Sequence, residues 1–221
     1  KEGLELWTLG GSRLRPALRD AQREFGYASV AVDPTGAILV SASSGGPVLV
    51  WNLRDDDVEC ALGPQLDSPA AGLAWLDAGR AVACVDTAGT LFVGTADRAS
   101  FRERAHAEGA CGIRALPNST EFLTAGRSPA LVLWSLERTG PVRLSDFGLS
   151  DLELTQFAVA PRGDGLAFVV NSTTLVVHRR EGRELSLVGR KDLALRRAMD
   201  LEFDPLGRWL AVACSDGAVQ L

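Results

Sequence analysis

Reactive side chains are few here, and their spacing argues against most chemistry. The two histidines, His106 and His178, stand far apart in the chain. A zinc site needs three or four converging ligands, so two distant ones do not define it. A Ser/His/Asp triad assembles in space, but no Gly-x-Ser-x-Gly elbow occurs in the sequence. Asp55-Asp56-Asp57 with Glu59 is rich in hard oxygen ligands. It lacks the alternating spacing and the glycine of a calcium loop, so it reads as a solvated turn. Asp146-Phe147-Gly148 matches the metal-binding tripeptide of protein kinases. No Gly-rich loop, Val-Ala-Ile-Lys strand or His-Arg-Asp loop accompanies it, so it reads as a turn after an outer strand. No catalytic residue, metal or cofactor is expected.

Cys60, Cys84, Cys111 and Cys214 form no C-x-x-C pair. They read as small core residues of a reducing compartment, which predicts a cytoplasmic protein. The net charge of −5 argues against a nucleic-acid surface. The basic pairs Arg179-Arg180 and Arg196-Arg197 read as exposed edges that deter sheet-to-sheet pairing. The uncharged run from Pro34 to Leu53 is long enough to cross a bilayer, but Pro, two adjacent Gly and three Ser sit near its middle. It predicts a hairpin and no membrane insertion.

The elements that position these residues repeat. Five times an apolar segment meets a tight turn and a second apolar segment follows. The pairs are Ser29 to Gly36 with Ala37 to Ala42, Gly72 to Gly79 with Ala81 to Val85, and Gly112 to Asn118 with Phe122 to Ala125. Phe157 to Gly163 with Leu166 to Val170, and Asp200 to Gly207 with Trp209 to Cys214, complete the set. Proline presets one dihedral of such a turn, glycine accepts positive φ, and aspartate bonds the turn backbone. The segments are too short for helices and rich in Val, Leu, Phe and Ala.

A third strand follows in each unit: Pro47 to Leu53, Thr90 to Gly94, Ala130 to Leu136, Thr174 to His178 and Ala218 to Leu221. The chain opens in the same strand, at Leu4 to Trp7. Its last position is Trp7, Trp51, Gly94, Trp134 and His178, at spacings of 44, 43, 40 and 44. Weaker apolar patches, such as Arg13 to Leu18 and Val142 to Ser145, read as a fourth, outer strand. Four strands in about 40–45 residues is the size of a propeller blade. The expected class is therefore all-β, a β-propeller of four-stranded antiparallel blades. Approximate repeats are 28–65, 70–105, 111–146, 155–190 and 197–221, with 3–20 before them. Strands for about five blades, and a stop just before an expected Trp, predict part of a ring of seven blades or more.

Ser215-Asp216-Gly217-Ala218-Val219-Gln220-Leu221 resembles a WD repeat, as do Gly46 to Asn52 and Ala130 to Ser135. The resemblance covers nearly the whole chain. It departs from the family in that the turn Asp survives only as Asp216. The Gly-His pair is gone, with His106 a distant candidate. The resemblance therefore implies that the family's His–Ser–Asp–Trp hydrogen-bond network is largely unformed and that apolar packing holds the blades.

The resemblance implies a non-catalytic scaffold that binds protein or peptide partners. By analogy the binding face carries the turns between second and third strands and the links between blades. That places Ser44, Asp86, Arg127, Asn171 and Asp216 together with His106 and Asp151. One alternative is a sensor or regulatory module of a larger signalling protein, its catalytic domain outside this chain. Another is a propeller enzyme with an axial ligand site, for which the inner strands offer only Arg114 and Glu202.

Overall fold

The computed structural model describes residues 5–10, 13–19, 27–43, 47–53, 60–95, 98–127, 130–148, 153–194 and 196–220. They form 21 strands and one 3-10 turn, Asp77–Gly79. β1 (Glu5–Gly10) and β2 (Arg13–Arg19) make a hairpin. The first full sheet is β3 (Tyr27–Val32), β4 (Ile38–Ser43), β5 (Pro47–Asn52) and β6 (Cys60–Gln65). The second is β7 (Ala70–Leu76), β8 (Ala81–Asp86), β9 (Thr90–Thr95) and β10 (Arg98–Arg104). The third is β11 (Ala110–Ala115), β12 (Glu121–Gly126), β13 (Leu131–Glu137) and β14 (Gly140–Phe147). The fourth is β15 (Leu154–Val159), β16 (Gly165–Val170), β17 (Thr174–Glu181) and β18 (Glu184–Asp192). A three-stranded sheet follows: β19 (Ala198–Phe203), β20 (Leu210–Cys214) and β21 (Val219–Gln220). Each sheet is an antiparallel meander, and β3, β7, β11, β15 and β19 lie beside one another in that order. This is the expected propeller arrangement.

Asp-Pro turns set the hairpins. The Asp33 carboxylate accepts hydrogen bonds from the N–H groups of Ala37 (2.7 Å), Ile38 (2.6 Å) and Thr35 (3.1 Å). Asp204 repeats the arrangement with Trp209 N–H at 2.8 Å. Burial works against the Asp33 charge, but the hydrogen bonds from Thr35, Ile38 and Ala37 together outweigh it and hold its pKa low. The stability Asp33 contributes is therefore present above the ordinary aspartate pKa and lost as pH falls through the lowered value.

The second strands are largely buried, and the second, third and fourth full sheets each lie between two neighbours. Four apolar clusters fill the four interfaces between the first full sheet and the three-stranded one. Between the second and third sheets, Val85, Leu91 and Val93 meet Ile113, Phe122 and Trp134. Between the third and fourth, Leu123, Leu131 and Leu133 meet Phe157, Leu166 and Phe168. Each such side chain contributes about 1.5–3 kcal/mol by leaving water. The flanking faces differ. Val30 and Val32 are 50% and 48% exposed on the first full sheet. Trp209 and Val219 are 60% and 66% exposed on the three-stranded sheet.

The repeat register follows the Trp positions. Trp51 pairs with Leu39, Gly94 with Val82, Trp134 with Phe122 and His178 with Leu166. Two residues beyond each partner lies Ser41, Cys84, Thr124 or Phe168. Where Trp is kept, its indole donates to that residue: Trp51 Nε1 to Ser41 Oγ at 2.9 Å, and Trp134 Nε1 to Thr124 Oγ1 at 3.0 Å. Where Trp is replaced by His178, the partner is Phe168, met edge-on at 5.6 Å between centroids.

The polar network is fuller than the sequence implied. His106, fully buried, sits 2.9 Å from Thr124 Oγ1, so His106, Thr124 and Trp134 form one connected chain in the third full sheet. Asp146 and Phe147 also lie within outer strand β14, not in a turn after it. Gly126 leaves room for the His106 ring. A methyl there would collide with the Gly109 carbonyl oxygen and stand 2.7 Å from the ring. Gly126→Ala and Thr124→Val should each cost about 1–3 kcal/mol in urea unfolding, the first by overpacking and the second by leaving the Trp134 indole without its acceptor. Unchanged midpoints for both would contradict the network.

Candidate functional site

One end of the sheets carries the turns between second and third strands and the links that enter each first strand. A repeated backbone tie builds it. Thr87 N–H donates to the Pro69 carbonyl (2.7 Å), Arg127 to Gly109 (2.8 Å), Asn171 to Glu153 (2.7 Å) and Ser215 to Arg197 (2.8 Å). Every tie fastens a turn to the link that enters its own sheet. Turn and link are thus held by the ladders on either side of them.

The ties also index the repeat. Thr87, Arg127, Asn171 and Ser215 are equivalent positions. Asp86 is one residue earlier, equivalent to Gly126, Val170 and Cys214, and pairs with Ala70 inside the ladder. That offset explains why Asp86 is fully buried. One carboxylate oxygen accepts from Thr90 N–H at 2.8 Å, and the other has no hydrogen-bond partner among the described residues. Asp86 and His106 thus lie inside the fold, beneath the end surface.

Arg127, Asn171 and Asp216 lie on that surface. The Arg127 guanidinium pairs with the Glu153 carboxylate, both about half exposed. Asn171, held at φ 51°, accepts from Glu153 N–H through its side-chain oxygen at 3.1 Å. Arg127, Glu153 and Asn171 therefore form one polar group spanning the third and fourth sheets. Asp216 pairs with Arg196 at 2.9 Å and accepts from Ala218 N–H at 3.0 Å. Glu153 was not singled out from the sequence, and Arg196 only as half of a basic pair read as an exposed edge. The only signal for Glu153 was an acidic link, two residues beyond Asp151. Ser44 and Asp151 fall outside the described residues, as do Asp55, Asp56 and Asp57.

Among the described residues, clefts open between adjacent sheets at the opposite end, two of them lined by charged groups. The larger, about 510 Å³, is lined by Asp77, Arg80, Val93, Leu136, Glu137 and Arg138, among others. The smaller, about 270 Å³, includes Arg162, Asp164 and Arg208. Charges of both signs meet in each. Of the two inner-strand residues offered for an axial site, Arg114 lies 5.5 Å over the Phe157 ring, and Glu202 is exposed.

Among the described residues, no three His, Cys, Asp or Glu side chains are grouped to hold a metal ion. Burial pushes the Cys84 thiol up to about 12, with the Asp86 charge adding to the effect. Burial likewise pushes Cys111 up to about 12. Both are protonated at neutral pH, and a thiol rather than a thiolate is a poor nucleophile. Burial also lowers the His178 pKa, which keeps that ring neutral. Disulfide-reagent labelling at about pH 8 should leave both cysteines unmodified in the native protein and modify both in urea. Stability should also fall as pH climbs from 9.0 toward about 12, because the folded state keeps protons the unfolded chain releases. Fast native labelling would contradict this burial.

Residues 157–221 match the family model described as the anaphase-promoting complex subunit 4 WD40 domain. Among solved structures, the chain is similar to the β-propeller domain of Cps50 (Swd1) from Myceliophteria thermophila, with a TM-score of 0.78 and 14% identity. That likeness covers 91% of this chain and 69% of the other. No curated protein matches the sequence. No helix among the described residues is long and apolar enough to cross a membrane. Repeat, register and fold together make this chain a β-propeller, whose residues 157–221 are similar to a WD40 domain.

Proposed function

We propose that the chain is a non-catalytic protein-interaction scaffold in the cytoplasm. Its protein or peptide partners dock on the turn-bearing end, around Arg127, Glu153, Asn171 and Asp216. One observation carries this reading: half-exposed charged groups are fastened to a rigid frame by the turn-to-link ties. Exposed ion pairs add little to stability. Their value lies in being preordered, because a partner that meets them has less side-chain entropy to remove. Loops on a rigid scaffold are also where recognition concentrates. The matching family model belongs to a subunit of a complex, which supports a place in an assembly.

The proposal extends to the two flanking sheets. Ala211, Ala213 and Val219 lie on the face of the three-stranded sheet that corresponds to Ala167, Val169 and Leu175 of the fourth. In the fourth sheet that face is covered by its neighbour. A further blade of the same kind is the fitting cover, and the longer propeller domain to which the chain is similar supports it.

Affinity capture from the source cell, compared between native protein and Arg127→Glu, tests the binding face. Partners of the native protein should be lost from the variant and retained by Arg162→Glu, on the opposite end. Retention of every partner by Arg127→Glu would overturn the assignment of this face.

A further inference from the structure

The outer hairpin of the fourth sheet, β17–β18, carries an unusual combination. Between Arg179 and Arg197 lie seven of the chain's 23 basic residues and three of its 28 acidic ones, a local charge of +4 in a chain of −5. Arg180 is taken up by Glu121 of the third sheet, and Arg196 by Asp216. Arg179, Arg183, Arg190 and Lys191 make no ion pair among the described residues and are exposed. Strand β18, nine residues long, ends the order β15-β16-β17-β18, so its outer backbone edge is unpaired among the described residues.

Charge on an edge strand usually deters pairing. Here it surrounds exposed apolar residues. Leu187 is 62% and Val188 60% exposed, and Val188 is the extra residue where the β17–β18 register shifts. Leu187 pairs with His178, which puts it on the face of Val176 and the third-fourth sheet core. Arg190 pairs with Val176 and shares that face. Across the seam, Val142 of β14 is 38% exposed and pairs with Ser135, on the face of Leu131 and Leu133. Leu144, Phe147 and Leu185 close the outer end of this core. Val142 and Leu187 thus continue the buried seam out to the rim.

We propose that this rim is a second docking site, which takes an extended acidic peptide as a fifth strand along β18. Backbone N–H and C=O groups of the open edge pair with the peptide. Its apolar residues cover Val142, Leu187 and Val188, and its carboxylates meet Arg183, Arg190 and Lys191. Strand addition combines main-chain hydrogen bonds with side-chain selection on alternate faces. A phosphate backbone would use the cations but neither the edge nor the apolar seam, and the chain's overall negative charge opposes it. The site is separate from the turn-bearing end and does not depend on that end binding anything.

Fluorescence anisotropy with a labelled peptide of alternating Glu and Val tests the site, with unfolding midpoints confirming that every variant is folded. The native protein should bind the probe, and Arg190→Glu with Lys191→Glu should weaken it about tenfold or more. Leu187→Ser with Val188→Ser should have a similar effect, while Arg162→Glu on the opposite end leaves binding unchanged. A version with proline at alternate positions, which cannot pair with an edge, should not bind. The proposal is overturned if the native protein does not bind the probe, or if the variants bind it as well as native protein. It is overturned equally if the proline version or a DNA duplex binds as tightly, which would reduce the site to unspecific charge attraction.

Discussion

Everything in this structure depends on sheets stacked face to face, the inner ones burying both of their sides. A lone four-stranded sheet of this composition would leave two apolar faces in water. Stacking buries them in four successive clusters and aligns the first strands side by side. Once the stack exists, both strand ends are fixed in space, and each turn inherits a position from the ladders beneath it. The turn-to-link ties then remove the remaining freedom at one end. Placement of Arg127, Glu153 and Asn171 follows from this packing and needs no local chemistry of its own.

Hydrogen bonding is secondary but selective. The Trp134–Thr124–His106 chain sits in the third full sheet, and Trp51–Ser41 in the first. The second and fourth full sheets do without it: Gly94 pairs with Val82 beside Cys84, and His178 rests on Phe168. The substitutions are matched. When the indole donor is lost, the hydroxyl acceptor is lost with it: Cys84 and Phe168 stand at the positions where Ser41 and Thr124 accept. A stranded hydroxyl would cost about 1–3 kcal/mol, more than a formed bond contributes. Erosion of the repeat signature therefore leaves the stack intact.

Much of the fold was legible in the sequence, because both the turn residues and the Trp spacing encode register directly. Spacings of 43, 40 and 44 appear as the pairings of Trp51, Gly94, Trp134 and His178 across β4, β8, β12 and β16. The site was less legible, by one residue. Asp86 looked like a turn residue because it is polar, yet it ends a strand and caps the turn from inside. His106 has no periodic signal, since the corresponding link positions are Leu66 and Ala194. Its role emerges only when Gly126 and Thr124 are seen to leave it space and a partner. Glu153 was hidden for a similar reason, because a link residue acquires meaning from the turn it faces.

The central claim is that the turn-bearing end is a rigid surface built by packing rather than a set of free loops. Amide hydrogen exchange at Thr87, Arg127, Asn171 and Ser215 measures this most directly. Four protected amides, exchanging with the slow strands β8, β12, β16 and β20, are the predicted result. Fast exchange at these four positions, with the strands beside them still protected, would contradict it.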